Sequence, residues 1–312
     1  MSTPNVIVFG PTGAVGSATA LTAQEAGAKV TLAMRDVNKP IPNLPAIGNF
    51  TRVQADLTDP ASIRAAVTSS AAKHAFIYIT FGAQDHMRSS IEALKSAGIE
   101  FVVFLSSIGV QGDIRAITPT DFIVWTHAQV EVALDDVFGP GGYVAVRPAY
   151  FASNLLLYAR AVAKGEMVRM SYPEGKFDYI APADIGRVCG SLLVKGANGL
   201  EKGRTSVPLA GPQLIPQREA IEAIGKAVGK RVEVENFEDD EDAVRFIMAN
   251  MSIPEPGARQ LVRNLKEVSE GRGFFAEGLY KEAAGNIRKY GGREATTIQE
   301  WAAANGVKFT HE

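Results

Sequence analysis

The stretch Val6-Ile7-Val8-Phe9-Gly10-Pro11-Thr12-Gly13-Ala14-Val15-Gly16 decides the fold of this chain. Val6 to Phe9 is an apolar run that reads as a buried strand. Gly10, Gly13 and Gly16 follow at G-x-x-G-x-x-G spacing, and a helical pattern then runs from about Val15 to Ala26, closed by Gly27. Each glycine has its own physical task. The first permits a tight turn, the second lets backbone N–H groups approach a pyrophosphate, and the third lets the helix pack closely on the strand. The positive end of the helix then faces the phosphates. Gly10, Thr12, Gly13, Ala14, Val15 and Gly16 are therefore expected to hold a dinucleotide. A glycine turn of purely structural purpose is the competing reading, and the location between an apolar strand and a helix disfavours it.

The same alternation continues outward. Lys29–Met34, Phe50–Gln54, Ala75–Thr80, Phe101–Leu105 and Tyr143–Val146 read as strands. Helical patterns over Pro60–Ser69 and His86–Ala97 lie between them. Strands separated by helices of about ten residues imply βαβ units, right-handed crossovers and a parallel sheet. The expected fold class is α/β, a doubly wound parallel Rossmann sheet of order 3-2-1-4-5-6, with a smaller, mostly helical substrate-binding cap. After Arg147-Pro148 the pattern changes. Asn154–Lys164, Asp184–Val194 and Ile215–Val228 read as helices, Arg204–Leu209 as a seventh strand, and the remainder as mostly helical. The expected organisation is a core over residues 1–155, rejoined by about 178–212, with 156–177 and 213–312 forming the cap.

Composition sets limits. At 312 residues with 46% hydrophobic and 21% charged residues, the chain has the make-up of a globular protein. Basic and acidic residues number 32 and 34, so no electrostatic footprint for nucleic acid is present. Acidic residues crowd Glu233–Asp242, which reads as solvated loop or helix-start chemistry. The single cysteine, Cys189, excludes an intramolecular disulfide and a cysteine-rich zinc site. No apolar stretch approaches the roughly 18 residues of a membrane span. No charged and apolar leader precedes Val6. A cytoplasmic location, a small-molecule partner, no nucleic acid, no membrane, no metal and a monomeric or homodimeric state are expected.

The second strand selects the cofactor. Chains that bind NAD usually place an acid at its end, for the ribose 2′-hydroxyl. This chain has Met34-Arg35-Asp36 and then Lys39. A guanidinium pairs bidentately with a 2′-phosphate, and a lysine adds a point charge. NADPH/NADP is therefore the expected cofactor, with Asp36 either turned outward or claiming a hydroxyl. Asp56 and Leu57, after the third strand, suit the adenine edge, although Asp56 also fits an ordinary turn. Thr80, Phe81 and Gly82 end the fourth strand at the carboxyl edge of the sheet, where ligands bind in open α/β folds.

The chain resembles the NmrA-like group of atypical short-chain dehydrogenase/reductases, which includes type 2 quinone oxidoreductases and isoflavone-reductase-like enzymes. The resemblance extends over nearly the whole length. It rests on Val8–Gly16, Arg35, Ala55-Asp56-Leu57, Leu105-Ser106-Ser107, Thr126-His127-Ala128-Gln129-Val130-Glu131, Arg147-Pro148-Ala149-Tyr150-Phe151-Ala152-Ser153-Asn154, Ala183-Asp184-Ile185-Gly186 and the closing stretch from Thr296 to Asn305. It implies an NADP-binding fold, a cleft between core and cap, and reduction of a quinone, enone or related aromatic compound. It also admits a non-catalytic dinucleotide sensor acting through a protein partner, or a biosynthetic ketone or imine reductase. The Tyr-x-x-x-Lys pair of the short-chain dehydrogenases is missing, since Ile123 and His127 stand in those positions. A histidine there matches the quinone-reductase branch.

Three residues are candidates for chemistry. His127 lies on the apolar face that carries Val130, with Glu131 one turn on. It reads as a proton donor or cofactor anchor, or as a satisfied histidine near a helix N-terminus. Glu131 at hydrogen-bonding distance would raise its pKa and burial would lower it. Ser107 ends the fifth strand and either polarises a substrate carbonyl or caps the loop. Tyr150 is the nearby phenol that can replace the missing tyrosine, or else packs in the core. Pro148 and Phe151 are expected at the nicotinamide. Asn154 is read as fixing a loop and Asp184 as a helix cap. His74, His86, His311 and Cys189 receive no role.

Overall fold

The structure, a computed structural model, describes residues 4–41, 44, 49–251, 253–272, 275, 276 and 278–310. His311 lies outside them. In chain order the first half comprises β1 (Asn5–Phe9), α1 (Ala14–Glu25), β2 (Lys29–Met34), β3 (Phe50–Gln54), α2 (Pro60–Ser70), β4 (His74–Tyr78), α3 (Arg88–Ser96), β5 (Phe101–Leu105), α4 (Phe122–Phe138) and β6 (Tyr143–Pro148). A 3-10 helix (Ala152–Tyr158) follows, then α5 (Ala159–Lys164), β7 (Val168–Met170), β8 (Lys176–Phe177), α6 (Pro182–Lys195) and β9 (Ser206–Leu209). The chain continues through β10 (Ile215–Pro216), α7 (Gln217–Ala227), β11 (Val234–Asn236), α8 (Asp240–Asn250), α9 (Glu255–Ser269), α10 (Leu279–Gly291) and α11 (Ile298–Asn305).

Seven strands form one parallel sheet in the order β3-β2-β1-β4-β5-β6-β9. The expected six-strand order is present, and the seventh strand adds beside β6. The central strands are buried on both faces, which is why they read as unbroken apolar runs. Alternate residues feed two layers. Val8, Leu32, Phe76, Val103 and Val146 pack with Ile185, Val188 and Leu192 of α6 and Ile287 of α10. Ile7, Ile77, Val102 and Phe104 pack with Ile63 of α2, Leu94 of α3 and Val130 of α4. Helix α10 thus lies on the sheet, although it falls within the stretch expected as cap.

Helix α1 is clamped to the core by α6. A Cβ at Gly186 would stand 2.4 Å from the Ala18 methyl, and one at Gly190 would stand 2.7 Å from the Thr19 carbonyl oxygen. Two glycines one turn apart let the helices meet backbone to backbone. The alignment of α1, and with it the glycine loop, depends on that contact.

The second core gathers Leu155, Val162, Phe177, Tyr179, Ile221, Ile224, Leu265 and Trp301 beneath α5, α7, α9 and α11. Two short pairings, β10 with β8 and β11 with β7, tie this layer together. Sequence reasoning missed all four of these strands, because two or three residues carry no periodicity. The stretch read as one helix over 154–164 is a 3-10 helix followed by α5. The acidic run becomes β11 and the start of α8, where Asp239 accepts the Asp242 N–H at 2.7 Å. Asp184 is not the cap of α6: Ala181 is, with Pro182 in the first turn. Asp184 instead accepts from Thr296 N (2.6 Å) and Thr296 Oγ1 (3.0 Å) and pairs with Arg187, fastening the approach to α11 onto α6. Among the described residues, no helix is long and apolar enough to cross a membrane. No cluster of metal-ligating side chains occurs among them either.

Candidate functional site

The glycine loop takes the shape its spacing implies. Gly10 has φ +67°, and a Cβ there would also meet the Tyr78 ring at 2.4 Å. Gly13 is the N-cap of α1, supplies no side-chain cap, and has only ordinary contact at its Cβ position. The first N–H groups of α1 therefore stay available to an anion. A Cβ at Gly16 would stand 2.3 Å from the Gly10 carbonyl oxygen, so the third glycine sets how closely helix and loop approach.

Two cavities meet at this loop. The larger, about 550 Å³, lies over the ends of β1, β2 and β3 and is lined by Arg35, Lys39, Asp56, Leu57, Thr80 and Phe81 among others. The second, about 350 Å³, runs along Gly13–Gly16 and is walled by Phe76, Leu105, Phe151, Ser153 and Pro182. They share Gly10, Thr12 and Tyr78, so the two adjoin across the Tyr78 ring and together outline a bent trough. Arg35 and Lys39 are both exposed at its β2 end. Asp36 spends Oδ1 on the Asn38 N–H (2.9 Å), a local turn. Asp56 likewise accepts from Thr58 N (2.9 Å) and Thr58 Oγ1 (2.8 Å) while still lining the larger cavity. Thr80 Oγ1 is buried with no hydrogen-bond partner among the described residues. Uncapped helix N–H groups, two exposed cations and an orphaned hydroxyl along one trough fit a phosphorylated dinucleotide.

His127 is buried, 8% exposed, beside Phe81 and Phe104. Its Nδ1 is 2.7 Å from the Ile123 carbonyl oxygen, which makes Nδ1 the protonated nitrogen and leaves Nε2 as an acceptor. Burial lowers its pKa to about 4. The ring is therefore neutral at pH 7 and has no acidic proton to give.

Glu131 does not bind His127, contrary to the expectation from their spacing. Its Oε1 accepts from Ser106 Oγ (2.6 Å) and Arg147 Nε (3.0 Å), and Oε2 accepts from Arg147 Nη2. A bidentate guanidinium outcompetes a neutral imidazole for a buried carboxylate. The motif pieces at Ser106, Glu131 and Arg147 thus meet in one buried ion pair that pins α4 across β5 and β6.

The other candidates separate. Ser107 Oγ accepts the Gly109 N–H at 3.3 Å, a cap for the loop after β5. Tyr150 packs against Phe177 and Tyr179 at 4.5 and 5.5 Å between ring centroids, and its hydroxyl bonds Asn154. Burial pushes it up to about 12. Neither residue lines the trough. Pro148 is buried within β6, its carbonyl accepting the Ile108 N–H, whereas Phe151 walls the trough. Gly82, at φ +89°, lines a separate aromatic cavity of about 340 Å³ with Phe122 and Trp125. Thr80 and Phe81 face both that cavity and the trough. Sequence reasoning missed Tyr78, the hinge of the trough. Its one signal was an aromatic residue at the carboxyl end of β4. It also missed Asp178, whose carboxylate accepts from Tyr150 N (2.9 Å) and Gly211 N (2.8 Å) and which burial raises to about 6.

A seven-stranded doubly wound sheet with an open glycine loop at its carboxyl edge defines an NAD(P)-binding Rossmann protein. The chain belongs to the NmrA-like family, whose model matches residues 2–302. It is 38% identical over 322 residues to the nitrogen metabolite regulation-like protein bik4 of Gibberella fujikuroi, covering 95% of this chain and 94% of that one. It is 26% identical to an NAD(P)H azoreductase of Xenophilus azovorans, covering 97% and 99%. The fold matches that of the NADPH-dependent quinone oxidoreductase QOR2 of Escherichia coli in its NADPH complex. The TM-score there is 0.72 at 19% identity, over 96% of this chain and 99% of that one.

Proposed function

We propose that the chain is an NADPH-dependent oxidoreductase that reduces a quinone or a related electron-poor organic compound. The observation that carries this reading is the trough outlined by the two adjoining cavities. Arg35 and Lys39 mark its adenosine end, the glycine loop its middle, and Phe151 its far end. Arg35 and Lys39 hold the 2′-phosphate, the N–H groups of Ala14–Gly16 in the first turn of α1 hold the pyrophosphate, and Thr80 Oγ1 gains the partner it lacks. His127 is a positioning residue rather than the acid: it lines neither cavity, and its ring packs edge-on against Phe81, which lines the larger one. A bound reduced nicotinamide supplies a hydride. The accompanying proton comes from water, because His127 is neutral and Tyr150 is a weak acid engaged elsewhere. A quinone tolerates this arrangement, since two electrons and two protons give a hydroquinone that needs little acid help.

The NAD(P)H azoreductase and QOR2 names among similar proteins support the class. The name of the 38% identical relative favours a second reading, a dinucleotide-binding regulator without turnover. NADPH oxidation by the purified protein, assayed against quinones, enones, azo compounds and cyclic imines, separates the two. Turnover on one acceptor supports the oxidoreductase. NADPH binding with no oxidation of any acceptor supports the regulator.

A further inference from the structure

We infer that Arg52 and Gln54 set the preference for NADPH over NADH without touching the cofactor, by holding the turn that carries Arg35 and Lys39. This rests on the NADPH reading above. Both residues belong to β3, the edge strand, and lie two apart, so their side chains share one face. Arg52 Nη1 donates to the carbonyls of Val37 (2.7 Å) and Lys39 (3.1 Å), and Gln54 Nε2 donates to that of Arg35 (3.2 Å). Three alternate carbonyls of the segment 35–39 are therefore gripped from one strand. Inside the turn, Asp36 Oδ1 accepts the Asn38 N–H and the Asp36 carbonyl accepts the Lys39 N–H at 3.2 Å. Neither Arg52 nor Gln54 lines the trough.

The physical consequence is pre-organisation. Arg35 and Lys39 are long, exposed side chains, and ordering them around a phosphate costs conformational entropy. A turn already fixed at three carbonyls leaves only the side chains to order. A loosened turn must be ordered as well, and only a ligand bearing the 2′-phosphate depends on that step. NADH makes no use of these cations and is indifferent to the turn.

The test is titration of the full-length protein with NADPH and with NADH, followed by calorimetry or protein fluorescence, for Arg52→Met, Arg52→Lys, Gln54→Ala and Arg35→Ala. Thermal melts confirm folding of each variant. Arg52→Met is expected to raise the Kd for NADPH about tenfold and Gln54→Ala about threefold, with NADH unchanged within about twofold. Gln54→Ala is the decisive arm, because it alters no charge. Arg52→Lys keeps the charge but loses the fork, and is expected to recover only part of the loss. If Arg52→Lys behaves as wild type and Gln54→Ala changes nothing, Arg52 acts by charge alone and the inference is wrong. If Arg35→Ala abolishes the preference while Arg52→Met and Gln54→Ala retain it, the inference fails and the NADPH reading stands. If Arg35→Ala leaves the two affinities equal to wild type, the NADPH reading itself fails.

Discussion

A histidine that gives its Nδ1 hydrogen to a backbone carbonyl and sits out of water has lost its role as an acid near neutrality, and His127 is in that state. The consequence for stability follows from linkage. Its folded pKa of about 4 lies below the unfolded value of about 6.5, so the native state holds the neutral form. Its contribution is fully present above about pH 6.5 and is lost as pH falls toward 4, a total of about 3 kcal/mol. Chemical denaturation of wild type and His127→Gln at pH 7 and pH 5 checks this: the variant is expected to lose less stability over that interval. For activity, no limb of the kcat/KM profile between pH 5.5 and 8 should disappear on His127→Gln. The substitution is expected to raise KM for NADPH more than it lowers kcat. A pH limb near 6.5 that vanishes in the variant would return the proton-donor role to His127.

At the scale of elements, two contacts hold the site in place. Glu131 and Arg147 join α4 to β6 inside the core, with Ser106 completing the carboxylate. Breaking a buried pair by removing one partner leaves a charge without compensation, typically at about 3–5 kcal/mol. Glu131→Ala is expected to lower the unfolding free energy from chemical denaturation by that order, and more than Arg88→Ala, which removes a half-exposed ion pair with Asp136. The α1–α6 contact is the other. Gly186→Ala puts a methyl 2.4 Å from Ala18 Cβ and 2.7 Å from the Val15 carbonyl oxygen, both in rigid helix. Overpacking of this kind costs about 1–3 kcal/mol. Because α1 carries the glycine loop, NADPH affinity is expected to fall along with the melting temperature. Gly285→Ala in α10, where a Cβ meets open space, is the control: it should raise stability by about 0.5–1 kcal/mol through helix propensity and leave NADPH affinity unchanged.

For the whole molecule, the sheet was legible because it is buried on both faces. Lys29–Met34 and Phe101–Leu105 have the boundaries their apolar runs imply, the largely exposed edge strand Phe50–Gln54 also keeps the bounds expected of it, and the strand order follows from the βαβ pattern. The second core was less legible. Its strands are two or three residues long, and its 3-10 helix carries the same Leu155 and Tyr158 pattern that an α-helix would. Within the site, the glycine loop was readable because Gly10 answers a positive φ and Gly16 a close approach of helix to loop. The fate of Glu131 was not. Spacing along one helix brings His127 and Glu131 to the same face, but it is silent on the guanidinium that β6 delivers from across the sheet. Tyr78 escaped for the same reason, since its role arises where β4 meets the turn at Gly10.

The measurement that tests the account most directly is calorimetric titration with NADPH and NADH, followed by NADPH oxidation with a quinone panel on the same preparation. NADPH is expected to bind more tightly than NADH, Arg35→Ala to lose that preference, and at least one quinone to oxidise NADPH. Equal or absent binding of the two dinucleotides, or tight NADPH binding with no oxidation by any acceptor, would contradict the proposed function.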